Sequence, residues 1–178
     1  KAKCIVLDQE QGSFRVILKK DCCLYTYDFS RLRGKDLKED ISLRDFSINT
    51  LALSLNEKKP RIIDYYRART DLKDRRLRII KERVLADDPL RIVRAFSLSA
   101  NYFLKILPET LLSLAAHKQL IRKVCGERLS EELFKIFLPV DSFRTIKLMD
   151  KLKIIDELLP VISKTRSVHQ GRFHHLDV

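Results

Sequence analysis

The spacing of apolar residues changes near Leu37, and that change limits the chain to a fold with a strand-rich front and a helical rear. Before it, "KCIVL" and "SFRVIL" flank the turn-like "DQEQG", which predicts a hairpin. "CLYTYDF" mixes aromatic and polar residues in the manner of a third strand. After Leu37 the apolar positions Ile41, Phe46, Ile48, Leu51, Leu53 and Leu55 fit one or two short helices, ended by the polar "NEKKP". "RIID" and "LRII" are short strand candidates on either side of the charged "ARTDLKDRR". From Asp88 onward the pattern is helical. Asp88 with Pro89 makes an N-cap and first-turn proline, Pro108 starts a second helix, "ERLSEELFKIFL" forms a third, and a fourth runs from an Asp141 cap to a stop at Pro160. The expected class is therefore α+β.

Charge narrows the partners. Thirty-six Lys and Arg against 24 Asp and Glu leave a formal +12, which favours a polyanion such as nucleic acid or nucleotide phosphates. The alternative is a soluble basic surface, since no run of five or six like charges marks a basic arm. Cys4, Cys22, Cys23 and Cys125 lack C-x-x-C spacing and sit in apolar segments, so buried reduced thiols in a cytoplasmic protein are expected. The nine Phe and five Tyr read mostly as core. No run approaches the length of a membrane span, and the amino end, which begins without Met, carries no signal-peptide core.

Four groups of residues could carry chemistry. In "LADDPLRIVRAFSLSA", capping and the helix dipole explain Asp87 and Asp88 without any function. They leave Arg91 and Arg94 unexplained, three and six residues on, where all these groups project along roughly one side of two helical turns. A carboxylate beside a guanidinium offers an acceptor next to donors, the complement of the amine and ring nitrogen on adenine or cytosine. In "LRDFSINTLAL", Asp45 and Asn49 stand one helical turn apart beside Arg44, a set suited to a ribose and its phosphates or to a cap and an ion pair. Asp28 lies at a strand end, near Arg31 and Arg33, with Gly34 permitting a mobile loop. Finally, "HQGRFHHLDV" gathers His169, His174, His175 and Asp177, residue types that bind metals, although adjacent histidines at a chain end are more often solvent-exposed, and no metal ligand is assigned among them.

Taken in order, the motifs resemble those of the class II tRNA nucleotidyltransferase and bacterial poly(A) polymerase family. "EDISLRDFSINTLAL" resembles E-D-x-x-x-R-D-F-T-x-N-A-L-A, "DLKDRRLRII" resembles D-L-x-x-x-x-L-R, and "DDPLRIVRAFSLSA" resembles E-D-P-x-R-x-x-R-A-x-R-F-A, with "PETL" following. The resemblance implies residues 1–60 as the last part of a palm, 61–125 as a neck with the base-reading helix, 126–168 as the start of a helical RNA-binding body, and 169–178 as the entry to an HD-type domain. It implies that Asp88 and Arg91 pair with the incoming base, that Arg44, Asp45 and Asn49 hold sugar and triphosphate, that Arg94 joins the same pocket, and that Asp28 is the third palm carboxylate.

The implied reaction adds CMP or AMP from CTP or ATP to an RNA 3′ end, with the tRNA acceptor end as substrate, poly(A) synthesis as the alternative, and Mg²⁺ as cofactor. Three departures stand out. Leu43-Arg44 replaces an arginine pair, Asp87-Asp88 replaces E-D, and "YYRAR" replaces a glycine pair. The glycine-rich motif and D-x-D pair are expected upstream of Lys1, so these residues alone are expected to be inactive. Readings from other classes are a non-catalytic RNA-binding module and a helical scaffold.

Overall fold

A computed structural model of the chain describes residues 2–55, 58–166 and 168. Packing divides the chain after Leu43 into two compact units.

The first unit is a meander of β1 (Ala2–Asp8), β2 (Ser13–Lys20) and β3 (Cys23–Ser30), antiparallel in the order β1-β2-β3. The β1–β2 connection closes on Gly12 at φ +61°, with the Gln11 amide donating to Asp8 Oδ1 at 2.9 Å. Between β2 and β3, Asp21 and Cys22 both take positive φ (48° and 61°), the two-residue turn whose twist suits a hairpin. Phe14 and Phe29 stack across the register with ring centroids 5.0 Å apart. Next, α1 (Leu37–Ser42) starts at Asp36, whose carboxylate accepts from the Glu39 amide at 2.8 Å, while Glu39 accepts from the Lys35 amide at 2.8 Å. Gly34 has no room for a side chain, because a Cβ there would meet Glu39 Cβ at 2.7 Å; the loop expected to be mobile is packed at that point.

The second unit holds the main core. Its elements are β4 (Ala52–Ser54), β5 (Arg61–Ile63), α2 (Ala68–Lys73), β6 (Arg76–Leu77), α3 (Arg83–Asp87), α4 (Leu90–Tyr102), β7 (Lys105–Ile106), α5 (Pro108–His117), α6 (Gly126–Phe137), α7 (Ser142–Lys151), α8 (Ile154–Leu158) and α9 (Pro160–Thr165). Turns of 3₁₀-helix cover Ser47–Asn49 and Lys118–Lys123. Phe46, Leu85, Ile92, Phe96, Leu114, Ile136 and Met149 are among the fully buried side chains at the centre. The apolar side of α4 runs through this core, which fixes the direction of the polar residues on its other sides.

Several expectations are corrected. Of the one or two short helices expected between Leu37 and Leu55, α1 forms around Ile41, but from Ser47 the segment is one 3₁₀ turn followed by β4, paired antiparallel with β5 as Leu53↔Ile62. "LALSL" alternates, and pairing with a neighbouring strand selects the two-residue period. "RIID" forms β5 as expected, but "LRII" contributes only Leu77 to β6, which pairs in parallel with β7, while Ile79 makes an isolated bridge to Phe46. β7 also interrupts the helical rear. The helix expected to start at Asp88 begins at Leu90; Asp88 is extended, and its carboxylate still accepts from the Leu90 amide at 3.3 Å. Pro160 opens α9 as its first residue, and the break comes earlier, at Lys153 with φ +60°. All four cysteines are exposed, Cys22 in a turn and Cys4 and Cys23 on strands whose side chains are largely uncovered. Phe14, Phe29, Phe103, Phe134, Phe137 and Phe143 are also exposed, against the expectation of core. His169, His174, His175 and Asp177 lie outside the described residues.

Candidate nucleotide-binding site

Asp45 sits in the turn before the 3₁₀ segment and is 6% exposed. Its Oδ1 accepts from the Phe46 amide and from Asn49 Nδ2, both at 2.8 Å, so the two residues do meet, through a 3₁₀ turn rather than an α-helical one. Arg44 Nη1 donates to the Asn49 carbonyl at 2.9 Å. The other carboxylate oxygen of Asp45 accepts from Arg94 Nη1 at 3.3 Å, a contact spanning 49 positions in sequence. Arg94 therefore joins the "LRDF" segment to the "DDPLRIVRAF" helix.

The residues of that helix diverge from the shared side that spacing suggested. Arg91 is 8% exposed and donates through Nη1 to the Val84 carbonyl at 3.2 Å. Asp88 turns toward α6, where Arg128 Nη2 donates to its two oxygens at 3.2 and 3.1 Å. Three residues advance a helix by about 300°, so each step from 88 to 91 to 94 falls short of a full turn and meets a different neighbour.

Arg94 Nε also lies 3.7 Å from Oε1 of Glu132, a carboxylate only 4% exposed. Ser97 Oγ donates to Glu132 at 2.5 Å and Lys135 Nζ at 2.8 Å. Burial raises the Glu132 pKa, but the Lys135 and Ser97 hydrogen bonds and the charges of Lys135 and Arg94 outweigh it, leaving the carboxyl below its ordinary value. These residues, with Asn101 and Tyr102, line a cleft of about 530 Å³; a second of about 420 Å³ shares Tyr102 and reaches Asn49 and Arg75.

Below this site, Asp71 on α2 is 5% exposed and accepts from Ser47 Oγ at 2.5 Å and from Arg78 Nη2 at 2.8 Å. The first and last residues of "DLKDRRLR" are thus one ion pair that anchors the turn carrying Asn49. Asp28 belongs to the first unit and is exposed. Arg15, not Arg31 or Arg33, holds it by two hydrogen bonds of 2.6 and 2.8 Å, and the hydrogen bond keeps its carboxyl below the ordinary value. Glu132 and Arg128 were not singled out from sequence, and only the spacing of 128, 132 and 135 along one side of α6 signals them; Asp71 and Arg78 carry the D-L-x-x-x-x-L-R resemblance but were given no role of their own.

Comparison with known proteins identifies the family. The family "Poly A polymerase head domain" matches residues 11–78, and "Probable RNA and SrmB- binding site of polymerase A" matches residues 103–165. The CC-adding tRNA nucleotidyltransferase of Geobacter sulfurreducens is 38% identical over 130 residues, 73% of this chain and 29% of that protein. The A-adding tRNA nucleotidyltransferase of Deinococcus radiodurans is 31% identical over 184 residues, 97% of this chain and 39% of that protein. The Thermotoga maritima CCA-adding enzyme, solved with a tRNA, superposes with a TM-score of 0.77 at 26% identity, covering 95% of this chain and 40% of that one. The chain thus spans well under half the length of these relatives.

Proposed function

The chain belongs to the class II tRNA nucleotidyltransferase and poly(A) polymerase family, and from that premise we propose that it is the nucleotide-selecting part of an enzyme adding CMP, AMP or both to the 3′ end of tRNA. The observation carrying this reading is the 3.3 Å contact between Arg94 and Asp45, which brings two motif segments onto one site. In this reading Asp88 accepts from the exocyclic amine of cytosine or adenine, and Arg91, released from the Val84 carbonyl that it meets here, donates to the adjacent ring nitrogen. Uracil and guanine present the opposite order, and a mismatched buried polar group is costly. Arg44, Asp45, Asn49 and Arg94 hold the ribose and triphosphate through their charge and hydrogen bonds.

In the reaction the RNA 3′ oxygen bonds to the α-phosphorus as the bond to pyrophosphate breaks, and these residues orient the nucleotide for it. Mg²⁺ serves such transfers in general by stabilising the charge on the attacking and leaving oxygens. Among the described residues no group of three or more His, Cys, Asp or Glu converges, so they do not by themselves fit a divalent-ion site, and none of the roles above runs through one. Asp28 is proposed as the third palm carboxylate on motif order alone. Head, neck and body are proposed over residues 1–60, 61–125 and 126–168, and 169–178 as the entry to an HD-type domain. The formal charge of +12 suits a tRNA partner through phosphate contacts. Among the described residues no helix is long and apolar enough to cross a membrane, and the cytoplasm is proposed as the compartment of the reaction because it holds tRNA.

The test is Arg91→Ala in the full-length protein. Use of ATP and CTP is expected to fall by about 100-fold or more in kcat/KM, with tRNA affinity little changed. Equal loss of both would remove the base-reading assignment.

A further inference from the structure

Two arginines at the ends of α2 stand where the backbone favours glycine. Arg67, in the "YYRAR" that replaces a glycine pair, takes φ +57° immediately before the helix, and Arg75 takes φ +51° two residues after it. A side chain is strained in that region, and the strain persists where the surroundings impose the turn. Here they do so without the arginine side chains. Asp64 accepts from the amides of Ala68 at 2.8 Å and Arg69 at 3.1 Å, which fixes the turn at Arg67, and the Lys105 amide donates to the Arg75 carbonyl at 2.7 Å. Glycine at either position would keep every one of these bonds. Arg67 and Arg75 are exposed, as are Arg69 and Lys73, one helical turn apart on the side of α2 opposite the buried Ala68 and Asp71. Among the described residues no carboxylate pairs with any of these four, whereas the neighbouring Arg76 lies 3.4 Å from Asp74.

We propose that Arg67, Arg69, Lys73 and Arg75 form a second RNA-contact surface, which binds the phosphates of the strand leading to the RNA 3′ end. The proposal rests on the tRNA reading given above. It assigns RNA contact outside residues 103–165, the segment matched to the RNA-binding family. Arg75 gives the surface its direction, because it also lines the cleft of about 420 Å³ that reaches Asn49, so the cations of α2 run on into the nucleotide site. That continuity favours RNA over an acidic protein. The planar fork of a guanidinium matches a phosphate through two parallel hydrogen bonds, and a side chain on a backbone that is already fixed has less freedom to lose when it binds. Strain is thus kept at Arg67 and Arg75 for charge that the fold itself does not use.

The experiment is equilibrium binding of the full-length protein to a tRNA lacking its terminal CCA, repeated across a salt series, with the melting temperature of each variant measured alongside. Arg67→Gly and Arg75→Gly are each expected to weaken binding by about 5-fold at about 0.1 M salt and to lower the slope of log affinity against log salt by about 1. Their melting temperatures should hold or rise, since glycine relieves the left-handed turn. Arg67→Lys and Arg75→Lys keep the charge and are expected to keep most of the salt slope. Affinity and slope unchanged in the double glycine variant, while wild type binds tRNA, would overturn the surface and leave the tRNA reading standing. Affinity lost together with a lower melting temperature, and not restored by lysine, would also overturn it, because the arginines would then be structural. Wild-type binding that is absent or insensitive to salt would remove the tRNA reading, and the surface with it.

Discussion

Asp71 shows how one side chain can hold a site that it does not line. Its carboxylate is almost fully buried and accepts from both Ser47 and Arg78, so removing it leaves the Ser47 hydroxyl without this acceptor and the half-buried Arg78 guanidinium without its anion, held by the Tyr66 carbonyl. Asp71→Ala is expected to cost about 3 kcal/mol of unfolding free energy, measured by urea denaturation; a loss under about 0.5 kcal/mol would mean that water replaces the carboxylate at no cost. Glu132 gives the pH dependence. Its folded pKa lies below the ordinary glutamate value, so the stability it contributes is present in full above that value, near pH 4.3, and is lost as pH falls through the folded value. The stability difference between wild type and Glu132→Gln should therefore be largest at about pH 7 and shrink by about pH 3, as read from urea titrations at both. A constant difference would show that the charge on Glu132 is immaterial. At this scale the sequence was informative where partners are near in the chain. Asp45 and Asn49 were paired from spacing, and they touch. Glu132 was not seen, although Lys135 lies three residues on, because its link to the site runs through Ser97 and Arg94 on another helix and only packing brings them together.

Helices with a proline or an acidic residue at their start were legible as elements: α5 begins at Pro108, and α7 begins just after Asp141, although the Asp141 side chain makes no capping hydrogen bond. β4, β6 and β7 were not, since they have two or three residues each and owe their form to pairing, β4 with nearby β5 and β6 with β7 from a distant part of the chain. The end of α7 was hidden for a different reason. Lys153 takes φ +60° between α7 and α8, a conformation with no sequence signal when a residue other than glycine or asparagine adopts it. Its amide donates to the Asp150 carbonyl at 2.8 Å, and that bond is independent of the side chain. Lys153→Gly keeps it and removes the left-handed cost, so the variant is expected to gain about 1 kcal/mol and to melt a few degrees higher by circular dichroism. A lower melting temperature would mean that the side chain of Lys153 contributes more than its backbone costs.

The two compact units are unequal in how they exclude water. Among the described residues up to Leu43, Ile41 is the one buried hydrophobic side chain, while Val6, Leu24, Tyr25, Tyr27 and Phe29 on the three-stranded sheet are exposed. The second unit buries Phe46, Phe96 and a continuous aliphatic cluster. Sheet hydrogen bonds with little apolar cover open at low cost, and strands of this number need a covered face for independent stability. The chain should therefore show two tiers of native-state amide exchange, with β1, β2 and β3 exchanging through local opening and the amides of α4 protected up to the global unfolding free energy. Hydrogen exchange read by mass spectrometry across increasing urea distinguishes the tiers, since the sheet should exchange with little urea dependence and α4 with the full dependence. Equal protection would mean that the sheet acquires cover that its own unit does not provide. Sequence periodicity located the three-stranded sheet and the start of α1 after it, yet it left the sheet's cover unread, because aromatic residues such as Tyr25, Tyr27 and Phe29 give the same pattern whether a second layer buries them or not.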